Sequence, residues 1–159
     1  MSRRDQITMS EDEALAFLEE ERTVVCATHG PRGWPHLMPL WYVVRDGRMW
    51  AWTFARSQKA INLERDPRAT LQVEAGDTYD QLRGVMLECD VVLHRDLETL
   101  VPLGTEILRR YTPGVAQDGP LPDEVTAMVE AQATKRVAFE FVERRRSTWD
   151  HRKLAQGVY

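Results

Sequence analysis

Hydrophobic positions along the chain fall mostly in short strand-like runs that are separated by polar turns. Asp46-Gly47 lies between two such runs and predicts a two-residue hairpin, because both positions readily adopt positive φ. The pattern predicts six strands, at about 23–28, 35–45, 48–53, 69–75, 82–95 and 137–146.

A helical apolar period predicts four helices, at about 10–21, 57–64, 97–111 and 123–133. Ser10 and Glu13 have the spacing of a capping box, and Asp66-Pro67 ends the second helix. Because the helices do not alternate regularly with the strands, a parallel sheet is not expected. We predict a mainly β fold, a six-stranded antiparallel β-barrel with peripheral helices.

The length of 159 residues predicts one domain spanning 1–159. Within it we expect a flexible lead-in at 1–9, a helical insertion at 97–133 and a tail at 147–159.

A net charge of −4 argues against a nucleic-acid partner, which requires a basic face. No run approaches the roughly 18 apolar residues of a membrane span, and the N-terminus lacks the apolar core of a secretory signal. We therefore expect a cytoplasmic protein that binds neither nucleic acid nor membranes.

Motifs for metal binding or nucleophilic catalysis are missing from the sequence. The four histidines have no metal-ligand spacing, and Cys26 and Cys89 lie in apolar runs typical of buried structural thiols. No metal site is predicted. If the protein is an enzyme, a cofactor is expected to supply the reactive group.

A polar cluster opens the second predicted helix, and its residue types suit an anion. Ser57 is placed to cap the helix, whose free N–H groups and dipole attract negative charge. Arg56 and Lys59 add positive charge on the same turn, and Thr53 adds a hydroxyl. On spacing alone, an ordinary capped helix with solvated basic residues remains open.

The predicted strand before the hairpin carries a proline, which cannot donate a ladder hydrogen bond. Pro39 therefore marks an edge, a bulge or an opening of the sheet, where backbone groups are free to bind a planar ring beside Trp41. An edge strand with a core tryptophan and a structural His36 is the alternative.

Taken in order, these residues resemble the pyridoxamine 5′-phosphate oxidase-like superfamily. The string is G-x-P-H-x-x-P-x-W, then D-G, then T-x-x-x-S-x-K-x-x-N-L-x-x-D-P-R, over 33–41, 46–47 and 53–68. The resemblance continues through Y-x-x-L-R-G-V at 79–85 and W-D-H-x-K-L at 149–154.

The resemblance implies an FMN-binding split β-barrel and a homodimer with FMN or the deazaflavin F420 at its interface. It places the cofactor phosphate on the segment from Thr53 to Lys59 and the ring on the strand before the hairpin. The partner subunit would finish the pocket. The implied cofactor-binding residues are Leu37, Met38, Pro39, Trp41, Thr53, Arg56, Ser57, Gln58, Lys59, Tyr79, Arg83, Trp149 and His151.

The tail W-D-H-R-K-L looks more like the small flavin and deazaflavin oxidoreductases than the pyridoxamine phosphate oxidases. An F420-dependent oxidoreductase acting on an unsaturated small molecule is therefore the first hypothesis. An FMN-dependent oxidoreductase, pyridoxamine phosphate oxidase-like or tetrapyrrole- or haem-related, and a non-catalytic flavin-binding protein are the alternatives. No catalytic residue is assigned, although solvent, His36 or Tyr79 are candidate proton donors.

Overall fold

Seven antiparallel strands form one curled sheet in the computed structural model, which describes residues 2–154 apart from the side chain of Arg3. The strand order is β2-β1-β5-β6-β7-β4-β3. The strands are β1 Val24–His29, β2 Pro35–Leu40, β3 Val43–Arg45, β4 Arg48–Phe54, β5 Arg68–Ala75, β6 Arg83–His94 and β7 Arg136–Asp150.

The mainly β, split-barrel prediction is confirmed, with seven strands in place of six. The strand predicted over 35–45 divides at Trp41 and Tyr42 into β2 and β3, which lie at opposite edges of the sheet. From Leu40 to Val43 the chain spans three Cα steps, about 11 Å at most. The sheet must therefore curl until its two edges approach each other.

The predicted hairpin between β3 and β4 is present. Asp46 has a φ of 49° and Gly47 a φ of 72°, the positive values that a two-residue turn of this kind requires. The turn sets the register that pairs Arg45 with Arg48.

The described part of the chain has five α-helices beside the sheet: α1 Arg3–Ile7, α2 Glu11–Glu20, α3 Gln58–Arg65, α4 Leu97–Tyr111 and α5 Asp123–Ala133. Helix α1 lies within the predicted flexible lead-in, where Ser2 and Asp5 form a capping box. Met9 is buried, and its N–H donates to Thr148 Oγ1 at 2.9 Å. This long-range hydrogen bond joins the end of the segment to β7, and the flexibility of the lead-in stays a prediction.

Strand β7 extends four residues beyond its predicted end and takes up the first part of the tail. Trp149 packs on Gly84 of β6 so closely that a Cβ there would lie 2.2 Å from the indole Cζ2. The chain then turns through His151–Lys153. Residues 155–159 of the predicted tail lie outside the described residues.

The described residues form two hydrophobic cores, one on each face of the sheet. The larger fills the barrel and contains both cysteines, where burial raises the pKa of each thiol to about 12 and keeps it protonated. The smaller joins α4 and α5 to β4 and β7 through residues such as Leu103 and Ala138. None of the described helices is long and apolar enough to cross a membrane.

Gly104 permits α4 to approach β4. A Cβ at this position would lie 2.4 Å from Cη2 of Trp52 and 3.1 Å from Cγ1 of Val129. We expect Gly104→Ala to lower the free energy of unfolding by about 1–3 kcal/mol through overpacking, although alanine favours helix formation. Urea denaturation measures this difference. Thr105→Ala, in the same helix, is the control and should not destabilise the protein; equal stability of Gly104→Ala and the wild type would contradict the packing argument.

Candidate functional site

A cavity of about 690 Å³ opens between the end of β4, the end of β2 and the helices α4 and α5. We call it the main cavity. Its size is in the range of pockets that bind small molecules and cofactors. Its lining residues are Thr23, Pro39, Leu40, Trp41, Trp52, Thr53, Lys59, Gly104, Ile107, Leu108, Thr112, Met128, Val129, Gln132 and Arg136.

Three of the predicted phosphate-binding residues form one hydrogen-bonded group beside this cavity. Lys59 Nζ donates to Thr53 Oγ1 at 3.1 Å, and Thr53 Oγ1 lies 3.4 Å from Ser57 Oγ. Ser57 also caps α3 by accepting from the Ala60 N–H at 3.4 Å. The group therefore combines an ammonium, two hydroxyls and a helix N-terminus, all of which favour an oxyanion.

Lys59 carries a positive charge that the protein itself does not neutralise. The residue is only 8% exposed, and among residues 2–154 no carboxylate lies within ion-pairing distance of Nζ. Burial lowers the pKa of Lys59, and the charge of Arg136 lowers it further, against an opposing effect of Cys26. A buried cation without a counter-ion is costly, so the site favours a bound anion.

Arg136 is a second cation of the main cavity, and sequence reasoning missed it. Its guanidinium lies 3.8 Å from the centre of the Phe54 ring, and Nη2 donates to Gln132 Oε1 at 3.3 Å. Nε is buried and has no partner among the described residues. Burial lowers the pKa of Arg136. Arg136 lies beside the cavity because β4 pairs with β7. Residues near Arg136 in the sequence therefore do not predict its position in the cavity.

Two of the predicted residues next to the helix cap, Arg56 and Gln58, do not line the main cavity. Arg56 is exposed, one residue before the helix cap. Gln58 is also exposed, and its Nε2 donates to Asn62 Oδ1 at 2.8 Å. Both are close in sequence to the phosphate-binding group, but neither lines the cavity.

The predicted ring-binding residues lie along the edge strand β2 and just after it. Pro39 and Trp41 line the main cavity, and the Trp41 ring stacks on Tyr111 with centroids 4.6 Å apart. Leu37 and Met38 are exposed. His36 is partly buried, and its Nδ1 has no partner among the described residues.

The remaining predicted residues form a second group, far from the cavity within one chain. Tyr79 and His151 contact each other with ring centroids 4.5 Å apart, and Trp149 is half-buried. Arg83 is paired with Glu20 at 3.0 Å. Thr53 pairs with Val137 and Gly84 with Trp149, so roughly 40 Å of β7 separates the two groups. The single chain does not bring them together.

Residues that the sequence did not single out complete the cavity wall. They come from the insertion and from β4, and they include Trp52, Gly104, Met128, Val129 and Gln132. Among the described residues, no cluster of three or more histidine, cysteine, aspartate or glutamate side chains is arranged to hold a metal ion.

Comparison with known proteins gives a family match over most of the chain. A family model described as pyridoxamine 5′-phosphate oxidase matches residues 10–143. A search of the curated proteins finds no match.

Several solved structures are similar. A conserved hypothetical protein from Mycobacterium tuberculosis is 43% identical with a TM-score of 0.86, over 100% of this chain and 97% of that one. An F420 reductase is 20% identical with a TM-score of 0.63, over 83% and 94%. A FAD-binding protein from Mesorhizobium loti is 19% identical with a TM-score of 0.63, over 89% and 94%. The last two similarities, both below 25% identity, concern the fold alone.

Removing the buried charge should stabilise the ligand-free protein. Below its folded-state pKa Lys59 is charged in both the folded and the unfolded chain, so its burial costs stability there. We expect Lys59→Met to raise the free energy of unfolding by about 1 kcal/mol at pH 7. The gain should shrink as the pH rises through the lowered pKa of Lys59 toward the usual 10.5, because the wild-type amine then loses its proton.

Chemical denaturation of both proteins at pH 7 and pH 10 measures this difference. Lys135→Met provides the control, because Lys135 is exposed and the same substitution there should change stability little. A Lys59→Met variant that is less stable than the wild type at pH 7 would show that the charge is compensated within the fold.

Proposed function

Because the chain belongs to the pyridoxamine 5′-phosphate oxidase family, we propose that it is an oxidoreductase that uses a bound flavin-type cofactor. The observation that carries the proposal is Lys59, a buried cation that lines a cofactor-sized cavity without a carboxylate partner. The family includes oxidoreductases. We place the activity in the cytoplasm, a compartment that suits two free cysteines.

The residues present fit such a cofactor at its phosphate. Lys59, Thr53 and Ser57 would hold the phosphate with the free N–H groups at the start of α3, as a charge-assisted site beside a helix N-terminus. Pro39 and Trp41 would contact the ring, and the exposed Leu37 and Met38 extend the same edge. When bound, the cofactor supplies hydride transfer, and the protein supplies orientation and exclusion of water.

F420 is the first candidate cofactor, and an unsaturated small molecule is the substrate that we propose for it. An F420 reductase shares the fold over 83% of the chain. FMN is the second candidate, because it also joins a phosphate to a tricyclic ring and because a FAD-binding protein shares the fold. Both candidates require the same phosphate site, so the site residues serve either one.

We further propose that the protein is a homodimer. Strand register places a row of uncharged side chains on the outer face of five adjacent strands, bounded by Glu74 and Glu88. Each is exposed or half-buried in the single chain. We call this row the outer patch, and its residues are Val25, Ala27, Leu37, Pro39, Thr70, Gln72, Met86 and Ser147.

An uncharged sheet face suits a second copy of the same face. The dimer would also explain the second group of predicted residues. Tyr79, Arg83, Trp149 and His151 lie far from the main cavity of their own chain, and we propose that they face the cavity of the other copy. Arg83 would do so while paired with Glu20.

Cofactor titration tests the central proposal. Fluorescence quenching with F420 and with FMN should show micromolar or tighter binding of at least one of them. We expect Lys59→Ala to weaken that binding about ten- to a hundredfold, because a charge-assisted hydrogen bond contributes roughly 1.5–3 kcal/mol.

Lys135→Ala is the matched control and should bind as the wild type does. Failure of both cofactors to bind at micromolar concentration would overturn the proposed function. Binding without turnover of any donor or acceptor would favour a carrier.

Light scattering after size-exclusion chromatography tests the dimer. The wild type should have twice the mass of the chain, and Val25→Glu, which places a charge in the outer patch of both copies, should shift the protein to monomer. Val92→Glu is the control: Val92 is 44% exposed, comparable with 36% for Val25, but lies beyond the charged boundary of the patch. A monomeric wild type would contradict the proposal.

A further inference from the structure

The two cations of the main cavity lie on opposite faces of β4. Thr53, which accepts from Lys59, is buried in the barrel, whereas the neighbouring Phe54 points to the other face. Arg136 pairs with Phe54 across the β4–β7 ladder and contacts its ring, so its side chain shares the outer face with Phe54. Among the described residues that line the cavity, Lys59 is therefore the one cation on the barrel face that would hold a phosphate together with Thr53 and Ser57, and Arg136 is available to a different anion.

Arg136 is held in place by what surrounds it. Its guanidinium lies 3.8 Å from the centroid of Phe54 and 5.2 Å from that of Trp52. Gln132 fixes one end by accepting from Nη2. No acidic side chain among residues 2–154 forms an ion pair with it. Such an arrangement suits a planar carboxylate, which a guanidinium binds through two parallel hydrogen bonds.

The wall beside Arg136 is apolar. Helix α4 contributes Ile107 and Leu108, and α5 contributes Met128 and Val129. Met128 is exposed in the single chain, so its side chain is available to contact an apolar ligand. Methionine adapts its shape to different ligands. This compartment suits an apolar body rather than a sugar or a second phosphate.

We propose that the main cavity has a second compartment, which binds an amphipathic carboxylate. Arg136 and Gln132 hold the carboxylate group, and the α4–α5 wall holds the apolar body. The substrate role of this compound rests on the proposed function. Its binding to the compartment is independent of that function. The insertion at 97–133 would then determine substrate specificity.

Isothermal titration calorimetry with octanoate, a carboxylate with a short apolar chain, tests the compartment. Octanoate should bind the wild type, and 1-octanol, which lacks the charge, should bind at least about tenfold more weakly. Arg136→Gln should reduce octanoate affinity at least about tenfold through loss of the charge-assisted hydrogen bonds. Arg144→Gln removes an exposed arginine that does not line the main cavity and should leave the affinity unchanged.

Gln132→Glu keeps the test decisive if Arg136→Gln folds poorly. The new carboxylate would lie where Gln132 Oε1 now accepts from Arg136, at 3.3 Å. It would form an ion pair with the guanidinium and so compete with the carboxylate of the ligand. We expect this variant to keep its thermal stability and to lose octanoate binding by at least about tenfold. Unchanged octanoate affinity in a folded Gln132→Glu protein would overturn the assignment.

The cofactor titration separates this inference from the proposed function. If Arg136→Gln weakens F420 or FMN binding instead of octanoate binding, Arg136 belongs to the phosphate site and the second compartment is wrong. Equal affinities for octanoate and 1-octanol would also overturn it. If octanoate binds as expected and neither cofactor binds, the compartment stands and the proposed function fails.

Discussion

Two residues, Trp41 and Tyr42, connect strands that lie at opposite edges of one sheet. Such a short link forces the sheet to curl, because two residues can span only a small distance between the two edges. Tyr42 is fully buried, and its hydroxyl donates to the Leu18 carbonyl at 2.6 Å. Its N–H donates to the Tyr111 hydroxyl at 3.0 Å. The link is thus held to α2 on one side and to α4 on the other.

The curled sheet decides what the cavity contains. It brings the end of β2, with Pro39, close to the end of β4, with Thr53, although the β3–β4 hairpin separates them in sequence. Trp41 lies at the link itself and stacks on Tyr111, so the helical insertion is anchored beside the opening. The same constraint that closes the barrel therefore also joins the edge strand, the capped helix and the insertion around one space.

Within this space the protein buries positive charge that it does not neutralise. Lys59 on the barrel face is buried and Arg136 on the outer face is half-buried, and burial lowers the pKa of both. A structure that needed only stability would place apolar groups there. The cost is consistent with binding sites, where stability and function conflict.

Local sequence signals were sufficient for part of the site. Ser57 caps α3 because a hydroxyl three residues before a free N–H satisfies that donor, and Lys59 lies two residues after the cap, in the first turn of the helix. Thr53 and Lys59 follow from that local geometry. Arg136 did not, because it lies 77 residues after Lys59 and reaches the cavity only through the pairing of β4 with β7. Arg56 and Gln58 do not line the cavity, since closeness in sequence to a cap does not decide which way a side chain points, and their role in cofactor binding stays a prediction.

By itself the sequence determined the features that depend on a few neighbouring residues. The turn at Asp46-Gly47, the cap at Ser57 and the alternating strands are of this kind, because φ preferences, capping and side-chain period act over one or two turns. Tertiary structure alone decided the break at Trp41-Tyr42 and the place of Arg136. In each case the deciding interaction joins residues that are distant in the chain. Such a contact contributes no stabilisation until the rest of the fold brings its partners together.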